Sequence, residues 1–323
     1  IGRDTVILPV VPMFHVNAWG TPYSAAMSGA KIVFPGAGMD GKNLHELIES
    51  EQATLLLGVP TVWLGLLNYL DSINAKMHSV NHVVVGGSAA PLAMVRAFDE
   101  KHDAFLIHAW GMTEMSPLGT VNSPTTELMA LPKEDRYKRQ LKQGRPIYGV
   151  DLKIIDDDGN ELPRDGKAYG RLLVRGPWIT SGYYKSEDRS AFVDGWFDTG
   201  DVATLDSLNT MQIVDRRKDV IKSGGEWISS IDLENIAVGH QAVKEACVIG
   251  VPHPKWDERP ILLVVLKDGA SATKEDIITY VSQHIAKFWT PDDVIFVPDL
   301  PHTATGKLHK VPLREKFANH LMV

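Results

Sequence analysis

A lysine stands near the C-terminal end of the chain in the string PHTATGKLHK, which spans residues 301–310. Thr305-Gly306 favours a turn, because glycine accepts backbone angles that other residues resist. We therefore expect Lys307 to project from a loop, from which its cation could reach a neighbouring domain. Taken alone, Thr-Gly-Lys is more typical of an exposed surface turn with a solvated lysine.

Two further strings place glycines and polar groups directly after apolar runs. VVVGGSAAP (83–91) is an apolar strand that runs into a glycine pair and a helix start. Exposed N–H groups at such a junction suit a phosphate or carboxylate, although many strand-to-helix loops need glycine merely to turn. HAWGMTE (108–114) follows the next strand and should emerge at the same carboxyl edge of the sheet, where open parallel sheets bind ligands.

The second of these strings predicts a nucleotide triphosphate site. Trp110 offers a flat face for a base, and Glu114 offers the hard oxygen that Mg²⁺ prefers when it is shared with phosphates. A buried tryptophan and a helix-capping threonine are the alternative for these residues taken singly. Asp201 follows a glycine turn in GWFDTGD (195–201), where it could accept hydrogen bonds from a ribose diol or simply stabilise a hairpin.

Alternating strands and helices must position these strings in the first part of the chain. Strands are predicted at 6–11, 31–34, 54–57, 82–85 and 104–107, and helices at 43–51, 60–71 and 91–101, with Pro60 and Pro91 in first-turn positions. Such alternation implies parallel pairing in a helix-covered sheet. The predicted fold class is α/β, with this parallel sheet and a small antiparallel β-barrel in a large domain, followed by a small, mobile α+β domain.

Changes of sequence texture predict the domain boundaries. We expect residues 1–143 to form the α/β part of the large domain, 144–214 its β-barrel subdomain, 215–218 a hinge linker and 219–323 the C-terminal domain. In the last of these, Thr273 and Asp276 resemble a capping box. An apolar stripe lies behind them at Ile277, Ile278, Val281 and Ile285.

The composition is that of an ordinary globular protein. The 323 residues are too many for one core, and 44% hydrophobic with 23% charged residues is typical of soluble domains. The net charge of −7 argues against a nucleic-acid partner. Cys247, the only cysteine, cannot form an internal disulfide, so we expect it in a buried strand of a cytoplasmic protein without a membrane span.

Taken in order, these strings resemble the motifs of the acyl-adenylate-forming superfamily, which includes acyl-CoA synthetases, adenylation domains and firefly luciferase. PMFHVNAW (12–19) and Trp227 are similar to its fatty acyl-CoA synthetase branch. The resemblance extends across the whole chain. It implies an AMP-forming acid–thiol ligase that uses a small carboxylic acid, ATP with Mg²⁺, and CoA, and it suggests a homodimer.

The resemblance also implies roles for the matched residues. Lys307 contacts the acid carboxylate and the α-phosphate during adenylation, Thr113 and Glu114 serve phosphate and Mg²⁺, and Lys218 is the hinge of the C-terminal domain. The nucleotide-binding set is Gly86, Gly87, Ser88, Ala89, Pro91, His108, Ala109, Trp110, Gly111, Met112, Asp201 and Arg216. The acyl pocket is formed by His15, Val16, Trp19 and Gly86, with His15 also near the pyrophosphate. The CoA channel, which forms after domain rotation, is formed by Ser223, Gly224, Gly225, Glu226 and Trp227.

The sequence departs from the family pattern in three places. The Ser/Thr/Gly-rich phosphate loop with its lysine does not occur in it, so we expect that loop in a segment upstream of Ile1. Trp110 replaces the commoner tyrosine, and Asp215 stands where glycine often precedes the arginine. Neither of these two changes removes a needed functional group.

The acid and the fate of the adenylate stay open at this level. Burial of one methylene group is worth only about 0.8 kcal/mol, so the sequence does not separate a short thioether acid from a medium- or long-chain fatty acid. A carrier-protein adenylation domain, a luciferase-like oxygenase and a nucleotide-binding chain without turnover are further alternatives.

Overall fold

The computed structural model describes residues 1–322 of the chain. These residues form two compact units. Unit 1 comprises Ile1–Thr199 and Ala203–Ile213, and unit 2 comprises Gly200–Val202 and the chain from Val214 onward. Among the described residues, every helix is too short or too polar to cross a lipid bilayer.

A seven-stranded sheet opens unit 1. Its strands are β1 (Val6–Pro9), β2 (Lys31–Ile32), β3 (Leu55–Gly58), β4 (His82–Val85), β5 (Phe105–Gly111), β6 (Leu118–Val121) and β7 (Arg145–Pro146). The strand order is β2-β1-β3-β4-β5-β6-β7, with parallel pairing from β2 to β5 and antiparallel pairing of β6 and β7. The predicted parallel sheet is therefore confirmed, and the chain adds an antiparallel edge to it.

Helices surround this sheet and bury its apolar strands. They are α1 (Val16–Trp19), α2 (Thr21–Ser28), α3 (Gly41–Glu51), α4 (Pro60–Ser72), α5 (Leu92–His102), α6 (Thr126–Met129) and α7 (Lys133–Gln140). Asp40 caps α3 by accepting from the N–H groups of Lys42 and Asn43, and Pro60 begins α4 as predicted. Pro91 lies one position before the predicted first turn of α5, because its extended ψ of 148° makes it the N-cap.

A smaller antiparallel sheet lies mainly in unit 1, and its residues 200–202 and 214–216 belong to unit 2. It contains β8 (Asp151–Ile155), β9 (Tyr169–Arg175), β10 (Phe192–Val193), β11 (Trp196–Leu205) and β12 (Met211–Arg216). The order is β10-β11-β9-β8, with β12 paired to β11. The turn cluster predicted after β8 is present, since Gly159 takes a φ of 89° and Asp156 accepts from the N–H of Asn160 at 2.8 Å.

Unit 2 is built on a third sheet with three helices. Its elements are β13 (Ile221–Ser223), β14 (Glu226–Ile228), α8 (Ser230–Val238), β15 (Val243–His253), β16 (Asp257–Leu266), α9 (Lys274–Ser282), β17 (Asp293–Phe296) and α10 (Lys310–Lys316). The strand order is β14-β13-β16-β15, and β17 runs parallel to β16. The predicted mixture of a parallel sheet and antiparallel sheets is thus confirmed.

Two local predictions in unit 2 are confirmed by the geometry. Thr273 Oγ1 accepts from the N–H of Asp276 at 3.1 Å, and Asp276 Oδ2 accepts from the N–H of Thr273 at 2.9 Å, which is the reciprocal capping box. Ile277 and Val281 behind it are fully buried. Cys247 is buried within β15, where burial raises the pKa of its thiol.

Gly144 and Gly159 have nearly the same φ but different surroundings. Substituting each by alanine therefore separates the effect of steric crowding on stability from that of backbone strain. Gly144 (φ 88°) and Gly159 (φ 89°) both lie in the left-handed region, but a Cβ at Gly144 would lie 2.2 Å from the backbone of Val121. A Cβ at Gly159 meets no atom of the described residues within 4 Å. We expect Gly159→Ala to cost about 1–2 kcal/mol of unfolding free energy, the left-handed penalty alone, and Gly144→Ala to cost far more. Urea unfolding and soluble yield measure both, and equal losses would contradict the assigned contact.

Candidate functional site

Parallel pairing of β4 and β5 brings two predicted strings to one edge of the sheet. Val85 lies opposite His108, so the loops that follow these residues leave the sheet side by side. A Cβ at Gly86 would lie 3.1 Å from the Trp19 ring and 3.3 Å from the carbonyl oxygen of Ala109. Trp19, Gly86 and Ala109 therefore lie together, and glycine at position 86 permits the close approach of the indole.

The other predicted nucleotide residues follow the same two strands. Gly87, Ser88, Ala89 and Pro91 follow β4, whereas Ala109, Trp110 and Gly111 end β5 and Met112 follows them. Gly87 and Ser88 are exposed, and Gly87 has a φ of 80°. An exposed glycine turn of this kind leaves backbone N–H groups accessible to an anionic ligand.

The segment that delivers Trp19 has an unusual backbone. Residues 16–19 have φ values of 46–58°, so α1 is a single turn of left-handed backbone rather than a right-handed helix. Each such L-residue costs roughly 1–2 kcal/mol, and the β-branched Val16 is especially disfavoured there. Gly20 closes the turn with its N–H near the carbonyls of Val16 and Asn17. His15 precedes the turn and is half-buried.

His108 lies inside unit 1 and supports the loop after β4. Its Nδ1 lies 3.1 Å from the carbonyl oxygen of Leu141, and its ring also hydrogen-bonds to the backbone of Ser88. Burial lowers the pKa of His108 to about 4, so the imidazole is neutral at neutral pH. Gln143 lies against the same ring at 3.3 Å and accepts from the N–H of Ile213 at 2.6 Å. The sequence gives no signal for Gln143.

Trp110 packs into the core of the smaller sheet. Its side chain is 9% exposed and joins a cluster that includes Met115. A Cβ at Gly119 would lie 2.6 Å from the Trp110 ring, so the ring fits only over a glycine. Gly111 is similarly constrained, because a Cβ there would lie 2.0 Å from the carbonyl oxygen of Pro117. Adenine stacking on Trp110 stays a prediction.

Glu114 is held by a tyrosine that the sequence did not indicate. Thr113 and Glu114 lie in a 3₁₀ turn, in which Thr113 is exposed. Glu114 Oε1 accepts from the hydroxyl of Tyr183 at 2.9 Å, and its carbonyl oxygen accepts from the N–H of Thr180 at 2.8 Å. Burial and the Glu114 carboxylate raise the pKa of Tyr183, which therefore stays a donor at neutral pH.

The donor set fits a magnesium ion that is held mainly by phosphates. Within residues 1–322, no group of three His, Cys, Asp or Glu side chains could hold a metal ion by itself. Mg²⁺ commonly binds through one or two carboxylates together with substrate phosphates and water. The single Glu114 carboxylate, already oriented by Tyr183, suits that arrangement.

In unit 2, three residues from distant parts of the chain come together. Arg216 Nε lies 2.7 Å from Oδ1 of Asp201, whose side chain is buried while the guanidinium is partly exposed. Lys307 is half-buried beside this pair. Burial and then the Arg216 cation lower the pKa of Lys307, and the Asp201 carboxylate opposes them.

The turn predicted around Gly306 is present and positions this lysine. Gly306 has a φ of 78°, and its N–H donates to the carbonyl of Thr303 at 2.9 Å. The N–H of Thr303 donates to the carbonyl of Lys307 at 2.8 Å, and the N–H of Lys307 lies 3.2 Å from Thr303 Oγ1. The loop is therefore a closed turn, and Lys307 is half-buried rather than fully solvated.

A two-residue hairpin joins β13 to β14 in the predicted CoA segment. Gly224 and Gly225 have φ values of 57° and 86°, as a tight hairpin of this length requires. Gly224 packs on Trp256, since a Cβ would lie 2.8 Å from the ring, and its N–H donates to the Trp256 carbonyl at 2.9 Å. Apart from Gly225 itself and its two chain neighbours, no atom of residues 1–322 lies within 4 Å of its Cβ position. The hairpin tip is therefore open on the Gly225 side.

The base of this hairpin is fixed by an arginine that the sequence did not indicate. Ser223 is buried, and its Oγ lies 3.2 Å from Nη1 of Arg259, which also donates to the carbonyls of Phe288 and Thr290. Glu226 and Trp227, the remaining predicted CoA residues, begin β14. Lys218, the predicted hinge, lies in the exposed segment 216–218.

Comparison with known proteins agrees with the motifs. The family model described as AMP-binding enzyme matches residues 1–184, and the model described as AMP-binding enzyme C-terminal domain matches residues 232–307. The 3-methylmercaptopropionyl-CoA ligase of Ruegeria lacuscaerulensis is 52% identical over 316 residues, which cover 98% of this chain and 59% of that protein. The medium-chain-fatty-acid–CoA ligase of Ectopseudomonas oleovorans is 50% identical over 320 residues, which cover 99% and 58%.

A solved structure shares the architecture. ATP-bound MatB from Rhodopseudomonas palustris superposes with a TM-score of 0.82 at 26% identity, covering 99% of this chain and 61% of that one. The chain thus spans 59% of the length of the curated 3-methylmercaptopropionyl-CoA ligases that it matches.

The opposed charges around Lys307 predict opposite effects of two substitutions on its titration. Arg216→Met removes a cation that lowers the pKa of Lys307, so that pKa should rise, whereas Asp201→Asn removes the opposing carboxylate, so it should fall. NMR titration of the ¹³C-methylated lysine, assigned by loss of its signal in Lys307→Arg, measures both. Shifts in the same direction would contradict the grouping of these three side chains.

Proposed function

This chain belongs to the AMP-binding enzyme family, and we propose that it acts in an ATP-dependent acid–CoA ligase of the AMP-forming type. A carboxylate is a poor electrophile, so the acid must first gain a leaving group. An oxygen of the carboxylate attacks the α-phosphorus of ATP, and pyrophosphate leaves. The thiol sulfur of CoA then attacks the carbonyl carbon of the acyl-AMP, AMP leaves, and the thiol proton is released.

The observation that carries this proposal is the grouping of Lys307 with Asp201 and Arg216 in unit 2. A half-buried cation beside a buried carboxylate–guanidinium pair suits a ligand that has both a ribose diol and an α-phosphate. Asp201 would accept hydrogen bonds from the ribose hydroxyls, with Arg216 keeping the carboxylate in place. Lys307 would offset the negative charge that builds on the α-phosphate during attack.

Residues of unit 1 suit further contacts to ATP and the acid. The exposed amides at Gly87 and Ser88 suit a phosphate or carboxylate oxygen, and Trp110 is proposed to face adenine. Glu114 would hold Mg²⁺ together with phosphate oxygens, and that ion would supply neutralisation of phosphate charge. Thr113 is exposed next to it and suits a phosphate contact.

The acid that we propose is 3-methylmercaptopropionate or a similar short- to medium-chain acid. The names of the relatives at 50–52% identity support this range. In the proposed acyl pocket, the Trp19 ring packs against Gly86 and would limit the length of the acyl chain. A medium- or long-chain fatty acid is the alternative, supported by a 46% identical relative from Thermus thermophilus that is named a long-chain-fatty-acid–CoA ligase. A cytoplasmic location and a homodimer stay predictions from the sequence.

A series of acids tests the function and the size of the pocket together. We expect kcat/KM to rise about fourfold for each methylene that the pocket accommodates and to fall once the chain reaches Trp19, with 3-methylmercaptopropionate among the best substrates. Acid-dependent AMP and acyl-CoA formation is measured with the 323-residue chain and with a form that includes the phosphate loop.

Three other results would each exclude the ligase. Acyl transfer to a carrier protein but not to CoA would indicate a carrier-protein adenylation domain, and oxygen-dependent product formation would indicate an oxygenase. Nucleotide binding without AMP release in either form would indicate a chain without turnover.

Two glycines with open surroundings allow a matched test of the hairpin. Gly225→Leu should slow transfer of a supplied acyl-AMP to CoA roughly tenfold or more while leaving pyrophosphate release nearly unchanged, because the new side chain would enter the CoA channel. Gly269→Leu is the control, since Gly269 has a φ of 73° and equally open space in another turn of unit 2.

Lys307→Ala should give the reverse pattern to Gly225→Leu. Acyl-AMP formation should fall roughly 10²–10³-fold, as expected for loss of one group that stabilises developing charge, with little change in the second step. Equal loss of both half-reactions in either variant would contradict its assigned step.

A further inference from the structure

Asp215 fastens the start of helix α8 to the end of strand β12. Its buried carboxylate accepts from the N–H of Arg216 at 2.7 Å and from the N–H of Ser230, the first residue of α8, at 2.6 Å. The positive end of the helix dipole favours a carboxylate at this place. A second bond lies beside it, because Ser229 Oγ donates to the carbonyl of Val214 at 2.6 Å. Residues 214–215 and the N-terminus of α8 therefore form one hydrogen-bonded joint.

Lys310 brings the segment of Lys307 to the same joint. Lys310 begins α10, three residues after Lys307, and its Nζ donates to Ser230 Oγ at 2.6 Å and pairs with Glu234 Oε1 at 2.7 Å. Burial raises the pKa of Asp215, and the Lys310 cation opposes that rise. The Glu234 and Asp215 carboxylates in turn raise the pKa of Lys310, so this lysine is a permanent cation.

Helix α10 has a second ion pair, which differs from the joint in where its partners lie relative to Lys218. Arg314, one turn further along α10, forms an ion pair with Asp219. Asp219 and Arg314 both lie after Lys218, the proposed hinge. A rotation about Lys218 would therefore move the two partners together. Asp215 lies before Lys218. A rotation about Lys218 would therefore move Ser230 and Lys310 relative to Asp215.

We propose that Asp215 and Lys310 are positioning residues whose joint with α8 holds the Lys307 turn beside Asp201 during acyl-AMP formation and opens for CoA transfer. This inference rests on the proposed ligase function and on Lys218 as the hinge. The proposal assigns a role to the carboxylate of Asp215. The family that the sequence resembles often has glycine at this position, and glycine could make neither of the side-chain contacts.

The joint is strong because its charges are buried and mutually compensated. A hydrogen bond to a charged group is stronger than one between neutral groups, and removal of one partner leaves the other buried without compensation. Asp215→Asn keeps the size of the side chain and removes its charge. Lys310→Arg keeps the charge, and Lys310→Met removes it. Arg314→Gln is the matched control, since it removes a cation of the same helix whose partner lies on the same side of the hinge.

The half-reactions give the first readout. Acyl-AMP formation should fall about tenfold in Asp215→Asn and Lys310→Met, while transfer of a supplied acyl-AMP to CoA should be unchanged or faster. Lys310→Arg should recover most of the first rate. Arg314→Gln should lower thermal stability and leave the ratio of the two rates unchanged. A fall of both half-reactions by the same factor in Asp215→Asn and Arg314→Gln would overturn the proposal.

Limited trypsin digestion gives a readout that does not require activity. Residues 216–218 are exposed and basic, so opening of the joint should speed cleavage after Lys218. We expect several-fold faster cleavage in Lys310→Met than in Arg314→Gln. Equal cleavage would overturn the joint whether or not the ligase assay succeeds. Faster cleavage without any acid-dependent AMP formation would support the joint and reject the ligase function.

If Lys310→Met fails to fold, hydrogen exchange decides the question in Asp215→Asn. The first amides of α8 should then lose protection, because Ser230 donates to Asp215. Unchanged protection of these amides would overturn the proposal.

Discussion

The parallel register that sets Val85 opposite His108 is the constraint on which unit 1 depends. It fixes where two loops leave the sheet, and it brings the backbone of Ala109 close to Gly86, where a Cβ would also crowd the Trp19 ring. His108 then supports the loop from beneath through Ser88 and Leu141. A shift of one residue between these strands would separate all of these groups.

Elements with local signals could be predicted from the sequence, and contacts between distant segments could not. The capping box at Thr273 and the strand that buries Cys247 follow from patterns within a few residues. The bond from Tyr183 to Glu114 spans 69 positions, and the bond from Arg259 to Ser223 spans 36. Neither a tyrosine in a loop nor an arginine in a strand carries information about such a distant partner. The motif residues were recognised by resemblance, whereas the groups that hold them had to be found in space.

Two lysines three positions apart illustrate how surroundings divide one residue type into two roles. Lys310 meets two carboxylates, and its cation is stabilised in spite of burial. Burial and then the nearby Arg216 cation lower the pKa of Lys307, and the Asp201 carboxylate opposes them. A buried charge is tolerated only where its partners compensate for lost hydration. Lys310 is therefore suited to a fixed structural charge, and Lys307 to a charge that a ligand phosphate can stabilise.

At residues 16–19, the left-handed sense of the turn decides the directions in which its side chains point. A right-handed turn with the same sequence would direct successive side chains around the axis in the opposite sense. Phe14 just before the turn is 75% exposed, whereas the Trp19 ring at its end lies against Gly86. The chirality of this turn therefore sets the direction in which the Trp19 ring leaves the chain towards Gly86.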